Sequence, residues 1–233
     1  MKNIFLEELK KRFIELSDED LEKFESYKNL IEDWNKFTDI TNILGDEIYS
    51  KHFADSISLY ATGLIEKNQR IIDIGTGGGF PGIPLKIVND SLKIDLLDSL
   101  NKRVKFLNEV ISSLNLNDIR AIHGRCEEVG RKEEYREKYD IAVSRAVANM
   151  RTLSEYCLPF VKLGGYFIAM KGPSGIEELG EAEKAIKILG GVVRDIEDFE
   201  IDGNRRILIS IKKVKRTPPS YPRGQGKPRK KPL

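Results

Sequence analysis

The chain has 233 residues, 40% hydrophobic and 33% charged, a balance that describes a soluble globular protein of one α/β domain with an added segment, or of two small domains. No apolar run approaches the ~20 residues of a membrane span, and Met1-Lys-Asn-Ile-Phe-Leu-Glu-Glu8 has acids inside its apolar stretch, so it is not read as a signal peptide. Two cysteines, Cys126 and Cys157, and two histidines, His52 and His123, argue against a disulfide framework or a metal cluster, and for a reducing cytoplasm.

Residues 1–66 are expected to form an N-terminal helical segment. Leu6, Leu9, Phe13 and Leu16 recur at helical spacing, and Ser17-Asp18 offers an N-cap for a second helix carrying Phe24, Tyr27, Ile31 and Trp34. A loop at 39–45 leads to a third helix holding His52, Phe53, Ile57 and Tyr60. Over 67–214 the pattern alternates, with strands at 69–74, 92–97, 119–123, 139–144 and 164–170. Helices near 82–90, 101–115, 126–137 and 149–162 separate them, and another follows near 174–189. The runs 191–201 and 204–213 form a hairpin turned at Asp202-Gly203-Asn204. The expectation is an α/β, Rossmann-like, seven-stranded sheet with helices on both faces.

Charge is spread unevenly behind the net +2. From Lys212 to Leu233 there are nine Lys/Arg and no acid, while the rest of the chain is net −7, with 30 basic and 37 acidic residues. The tail, 215–233, is also rich in Pro and Gly. It is expected to stay extended until it meets an acidic partner such as RNA, and its removal to spare both the fold and cofactor binding.

The stretch Ile71-Ile-Asp-Ile-Gly-Thr-Gly-Gly-Gly-Phe-Pro-Gly82 carries the most information. An apolar strand ends in Asp73 and a bend crowded with glycines, which let the backbone approach a ligand closely. The second strand ends in Asp98, about where a ribose-binding carboxylate belongs, roughly 20 residues on. Gly77, Gly79 and Gly82 satisfy the G-x-G-x-x-G spacing of a dinucleotide site, so an NAD-type oxidoreductase stays open. Asp73 favours S-adenosylmethionine, because a carboxylate beside the loop repels a pyrophosphate and suits a sulfonium and an ammonium. Ligands of such sheets sit at the carboxyl ends of strands. The candidates are therefore Gly75 to Gly79, Asp98-Ser99, His123 to Glu127, Ser144-Arg145 and Lys171-Gly172. The fourth strand end has neither the Pro-Pro loop of amino-nitrogen methylation nor a cysteine nucleophile. That fits an acceptor such as guanine N7, which has a lone pair and no proton to lose. Cys126 reads as a small apolar filler.

Several segments, in order, resemble one family: Trp34-Asn-Lys-Phe-Thr-Asp-Ile-Thr-Asn42, Lys51-His-Phe-Ala-Asp-Ser56, the glycine loop with Phe80-Pro-Gly-Ile-Pro-Leu85, Asp98-Ser-Leu-Asn-Lys-Arg103, Ser144-Arg-Ala146, Met170-Lys-Gly172 and the Thr-Pro…Tyr-Pro-Arg tail. Together they are similar to the small-subunit ribosomal RNA (guanine-N7) methyltransferases, also called the RsmG or glucose-inhibited division protein B family. The resemblance implies an S-adenosyl-L-methionine-dependent enzyme acting on 16S ribosomal RNA in the cytoplasm, with the small ribosomal subunit as partner and neither membrane nor metal. It implies that Gly75 and Phe80 line the cofactor pocket, that Asp98, Ser99 and Leu100 hold ribose and adenosine, and that Cys126 and Glu127 meet the adenine. Arg145 would border the methionine end and the incoming guanine, as the catalytic candidate. From charge alone, Lys171 is added as an RNA contact. His52 and Asn35 are expected to pack structurally, and a non-catalytic RNA-binding protein is the remaining alternative.

Overall fold

The computed structural model describes residues 1–233. Helices α1 (Lys2–Lys11) and α2 (Asp18–Asn35) open the chain. Ser17 starts α2 through a reciprocal cap: its hydroxyl accepts from the Asp20 N–H, and the Asp20 carboxylate accepts from the Ser17 N–H, each at 3.1 Å. The expected third helix is not regular. A π-helical turn, Tyr49–Ala54, runs into a short α3 (Asp55–Ile57) and a 3-10 turn, Ser58–Thr62. Hydroxyls bond carbonyls along this stretch, Ser56 to His52 and Ser58 to Asp55, both at 2.6 Å. Such bonds compete with a regular ladder.

The alternating part runs β1 (Arg70–Ile74), α4 (Gly82–Val88), β2 (Lys93–Asp98), α5 (Asn101–Ser113), β3 (Ile119–His123), α6 (Cys126–Val129), β4 (Tyr139–Arg145), α7 (Met150–Cys157), β5 (Val161–Lys171), α8 (Gly175–Ile188), β6 (Gly191–Ile201) and β7 (Asn204–Lys213). The sheet has seven strands in the order β3-β2-β1-β4-β5-β7-β6. Neighbours among β1 to β5 are parallel, and β7 is antiparallel to both β5 and β6. The strand order reverses beside β1, so β1 and β4 flank the switch point where ligands of such sheets bind. Two expected helices are shorter than the periodicity suggests. The one near 126–137 is only the single turn α6. The one near 149–162 stops at Cys157 and tightens into a 3-10 turn, Leu158–Phe160, where Pro159 has no N–H to continue the α ladder.

Side chains alternate across β1, so Ile71 belongs to one apolar core and Ile72 and Ile74 to the other. The first core packs Phe5, Phe24, Tyr27 and Ile31 of the N-terminal helices against Ile71, Ile94 and Phe106. Trp34 meets Phe106 edge to face at 5.6 Å. Tyr27 and Trp34 are thus packing residues. The second core holds α7 and α8 against Ile72, Phe167 and Ile209. No helix is long and apolar enough to cross a membrane.

The tail departs from expectation. It is folded onto the body of the protein, with Thr217, Pro222 and Pro228 buried and a short α9 (Lys227–Lys230) near its end. Composition predicted an extended segment because it has little apolar surface to bury. The body supplies polar partners instead, as detailed below.

Candidate active site

The ends of β1, β2 and β3 surround a cavity of about 550 Å³, into which Gly75, Asp98, Ser99, Leu100, Cys126 and Glu127 all face. A second cavity of about 560 Å³ opens beside the ends of β4 and β5. Among its lining residues are Lys51, His52, Asp55, Arg145, Lys171 and Arg206. Ala146, Val147 and Ala148 belong to both cavities and form the wall between them.

Asp98 organises the first cavity. Its buried carboxylate accepts from the Gly77 N–H at 3.0 Å and the Leu100 N–H at 2.9 Å, tying the glycine loop to the end of β2. A carboxylate has about four acceptor positions, so these two bonds leave capacity for a ligand. Glu127 is also buried there, with the Cys126 thiol beside it at 3.5 Å. Burial and that neighbouring carboxylate push the Cys126 thiol well up, so it stays a protonated, unreactive group. Gly75 sits at φ +69, and a Cβ there would stand 2.5 Å from Val147 Cγ2. Only glycine lets this wall come so close.

Asp73 does not face either cavity. It is buried beneath the loop, where its Oδ2 accepts from the Thr76 hydroxyl at 2.7 Å and from the Gly82 N–H at 2.9 Å; its Oδ1 has no partner. Burial pushes its carboxyl up to about 6. The start of α4 is thereby closed to anions. Gly82 donates to Asp73, Ile83 donates to Gly79 O at 2.8 Å, and Pro84 has no N–H.

The second cavity is an interlocked set of ion pairs. Arg145 donates to Asp55 Oδ2 at 2.8 Å, to Lys51 O at 3.2 Å and to His52 Nδ1 at 2.9 Å. Arg206 holds the other Asp55 oxygen at 2.6 Å. Since Arg145 can only donate, His52 Nδ1 accepts, and the ring proton sits on Nε2, 2.7 Å from Thr41 Oγ1. Burial, then the Arg145 charge, lowers His52 to about 3, so the ring is neutral. It stacks on Phe80 at 4.2 Å, and the Arg145 guanidinium lies 5.0 Å from the same ring. Asn35 clamps the neighbouring loop, accepting from the Ile40 N–H at 2.8 Å and donating to Thr41 O. His52 and Asn35 thus pack and orient.

Three expected placements change. Phe80 is buried under His52 and Arg145 and lines neither cavity. Its ring fills the space between the π-helical turn and β4, a role no local pattern reveals. Arg145 lines the second cavity only, drawn there by Asp55. Lys171 is not a free RNA contact: its ammonium is held by Glu178 Oε2 at 2.6 Å and Ala148 O at 2.7 Å. Glu178 also accepts from the Met150 N–H at 3.0 Å, so this pair fixes the chain after β4.

Comparison with known proteins follows the same lines. The family described as rRNA small subunit methyltransferase G matches residues 20–208. The ribosomal RNA small subunit methyltransferase G of Clostridium botulinum (strain Loch Maree / Type A3) is 52% identical over 223 residues, covering 94% of this chain and 93% of that protein. Its namesake in Acetivibrio thermocellus is 53% identical over 223 residues, covering 94% of this chain and 91% of that protein.

The chain belongs to this methyltransferase G family.

Its sheet is that of methyltransferases more widely. The precorrin-6y C5,15-methyltransferase of Geobacter metallireducens GS-15 superposes with a TM-score of 0.53 at 12% identity, covering 72% of this chain and 92% of that one, a likeness of fold. Sequence reasoning missed several residues of the family member's cavities. Asp55 stands inside the quoted Lys51–Ser56 segment, so its signal was present. Arg206, on the hairpin, and Val147, in a loop without a motif, had none.

Proposed function

We propose that the protein binds S-adenosylmethionine in the cavity at the ends of β1 to β3 and methylates N7 of a guanine of small-subunit ribosomal RNA presented in the adjoining cavity. The observation that carries this is the absence of any free base or thiolate where the acceptor would sit. Asp55 is engaged by two arginines, Glu178 by Lys171, and both His52 nitrogens are occupied. An acceptor that must lose a proton would lack a group to take it. Guanine N7 has none to lose.

The residues of the first cavity fit that cofactor. Asp98 retains acceptor capacity for ribose hydroxyls, and Glu127 and Cys126 stand where an adenine edge can be bonded. Two buried carboxylates suit a ligand with cationic groups. When bound, the cofactor supplies an electrophilic methyl group. The protein's own part is alignment and exclusion of water. Gly75 and Val147 bring the wall between the cavities close, and the Lys171–Glu178 pair holds that wall in place. Arg145 is better described as orienting the acceptor side than as touching the cofactor. A dinucleotide fits less well, because the N–H groups at the start of α4 are already bonded. A ribosomal substrate implies a cytoplasmic protein.

The test is direct. Purified protein is incubated with labelled S-adenosylmethionine and either small subunits or deproteinised small-subunit RNA, both from cells lacking the protein. The label should appear as 7-methylguanine at one position. Label on a carbon or an exocyclic nitrogen, or none on either substrate, would overturn the reading.

A further inference from the structure

The basic tail also touches the cofactor cavity. Glu155 of α7 is wholly buried, and one tail residue answers it: Arg223 donates its backbone N–H at 2.7 Å to Oε1 and its guanidinium to both oxygens, 2.9 Å to Oε1 and 2.7 Å to Oε2. A proline-rich segment has few N–H donors and many free carbonyls, and the body meets these with side-chain donors. Arg136 donates to Thr217 O and Tyr221 O, both at 2.8 Å, and Arg131 to Pro222 O at 2.8 Å. Arg151 donates to Pro232 O and the Thr152 hydroxyl to Pro228 O, each at 3.0 Å. These bonds carry α9 to the mouth of the cavity, where Gly226, Arg229 and Lys230 stand in its wall with Tyr156 and Cys126.

We propose that residues 217–233 form a fixed wall of the cofactor cavity, and that the segment from Gly226 to Lys230 is a determinant of cofactor affinity. The proposal rests on that cavity being the S-adenosylmethionine site. The wall acts by covering the bound molecule and reducing its exposure to water. The anchor, Arg223 on Glu155, lies outside the cavity, so the segment that covers can be removed without unpairing the buried carboxylate.

The experiment uses the full-length protein and a chain ending at Arg223. Hydrogen exchange is followed across 217–231, with and without S-adenosylmethionine, and dissociation constants are measured by calorimetry. The Arg223 amide should be protected in the free protein, and the cofactor should slow exchange further between 226 and 231. Truncation should raise the dissociation constant about tenfold, ~1.4 kcal/mol. Unprotected tail amides that ignore the cofactor, or an affinity unchanged within about twofold by truncation, would overturn the proposal. If the shortened chain fails to fold, the exchange data on the full-length protein decide. Should the full-length protein bind no S-adenosylmethionine at all, the cofactor assignment itself falls, and protection of the Arg223 amide still reports whether the tail is docked.

Discussion

Asp98 has two duties in the proposed site, and its replacement removes both. It holds two backbone amides of its own chain and, under the proposed function, gives its remaining acceptor capacity to a ribose. Charge-assisted bonds are worth ~1.5–3 kcal/mol each. Asp98→Ala should therefore weaken S-adenosylmethionine binding between about tenfold and several hundredfold, read by calorimetry, and also lower the melting temperature by freeing the glycine loop. Arg145 should behave differently, because it lines only the second cavity. Arg145→Lys keeps the charge but cannot span Asp55, His52 and Lys51 O together. Cofactor affinity should stay within about twofold while single-turnover methylation falls on the order of a hundredfold, the scale of a small misplacement. Asp73 offers a pH signature. Its folded value of about 6 lies above the ~3.9 of an unfolded carboxyl, so the folded state holds the extra proton. Stability from this group is full below pH ~4 and is lost as pH rises through about 6, by on the order of 2–3 kcal/mol. His52 has the opposite sign, since its lowered value costs stability as pH falls below ~6.5. Denaturant titrations of wild type and Asp73→Asn across pH 4–7 should differ by the Asp73 slope alone; parallel curves would remove the buried-acid explanation.

The loop 146–148 is the element that couples the two cavities. Ala146 adopts φ +56, a left-handed conformation that a non-glycine residue takes at a cost of roughly 1–2 kcal/mol. The contacts that impose it are visible. Lys171 bonds Ala148 O, Asn149 caps α7 by accepting from the Thr152 N–H at 3.1 Å, and Val147 rests on Gly75. Gly75→Ala should push this loop away, raising the cofactor dissociation constant and slowing methyl transfer together. Adding Val147→Ala removes the clashing methyls and should restore part of both. Equal defects in the single and double variants would mean that the loop does not transmit the change.

At the scale of the whole molecule, charge has been folded inward as well as displayed. Of the nine basic residues after Ile211, Arg223 pairs with Glu155, and Lys213 is buried among the carbonyls of Leu158 and Val161. Lys215, Arg216, Lys227, Arg229, Lys230 and Lys231 remain exposed. Removing all of 215–233 strips Glu155 of its partner. Leaving a buried charge unpaired costs about 3–5 kcal/mol, so the melting temperature should drop by roughly 6–20 °C at this chain length. Glu155→Gln in the truncated chain should recover much of that loss, measured by calorimetric unfolding. An unchanged melting temperature on truncation would restore the picture of a loose appendage.

What the residues determined alone was everything that repeats or clusters locally. Short apolar runs bounded by turn residues placed all seven strands within a few residues, because the central strands are covered on both faces and buried along nearly their whole length. The Ser17 cap, the 202–204 turn and the glycine loop were equally legible, since each depends on backbone demands met by particular residues. Gly75, Asp98, Ser99, Cys126 and Glu127 could be collected because strand ends of such a sheet converge, and Leu100 came from the family resemblance. Tertiary structure decided which charges meet. Arg145 and Lys171 stand at strand ends like the others, yet Asp55, 90 residues earlier in the chain, and Glu178 take up their charge. Asp73 went under the loop and Phe80 under His52, because filling space between elements depends on how those elements pack. The tail shows the same limit most plainly. Its composition argues for disorder, and one buried carboxylate on α7, together with arginines on the body, gives it a place.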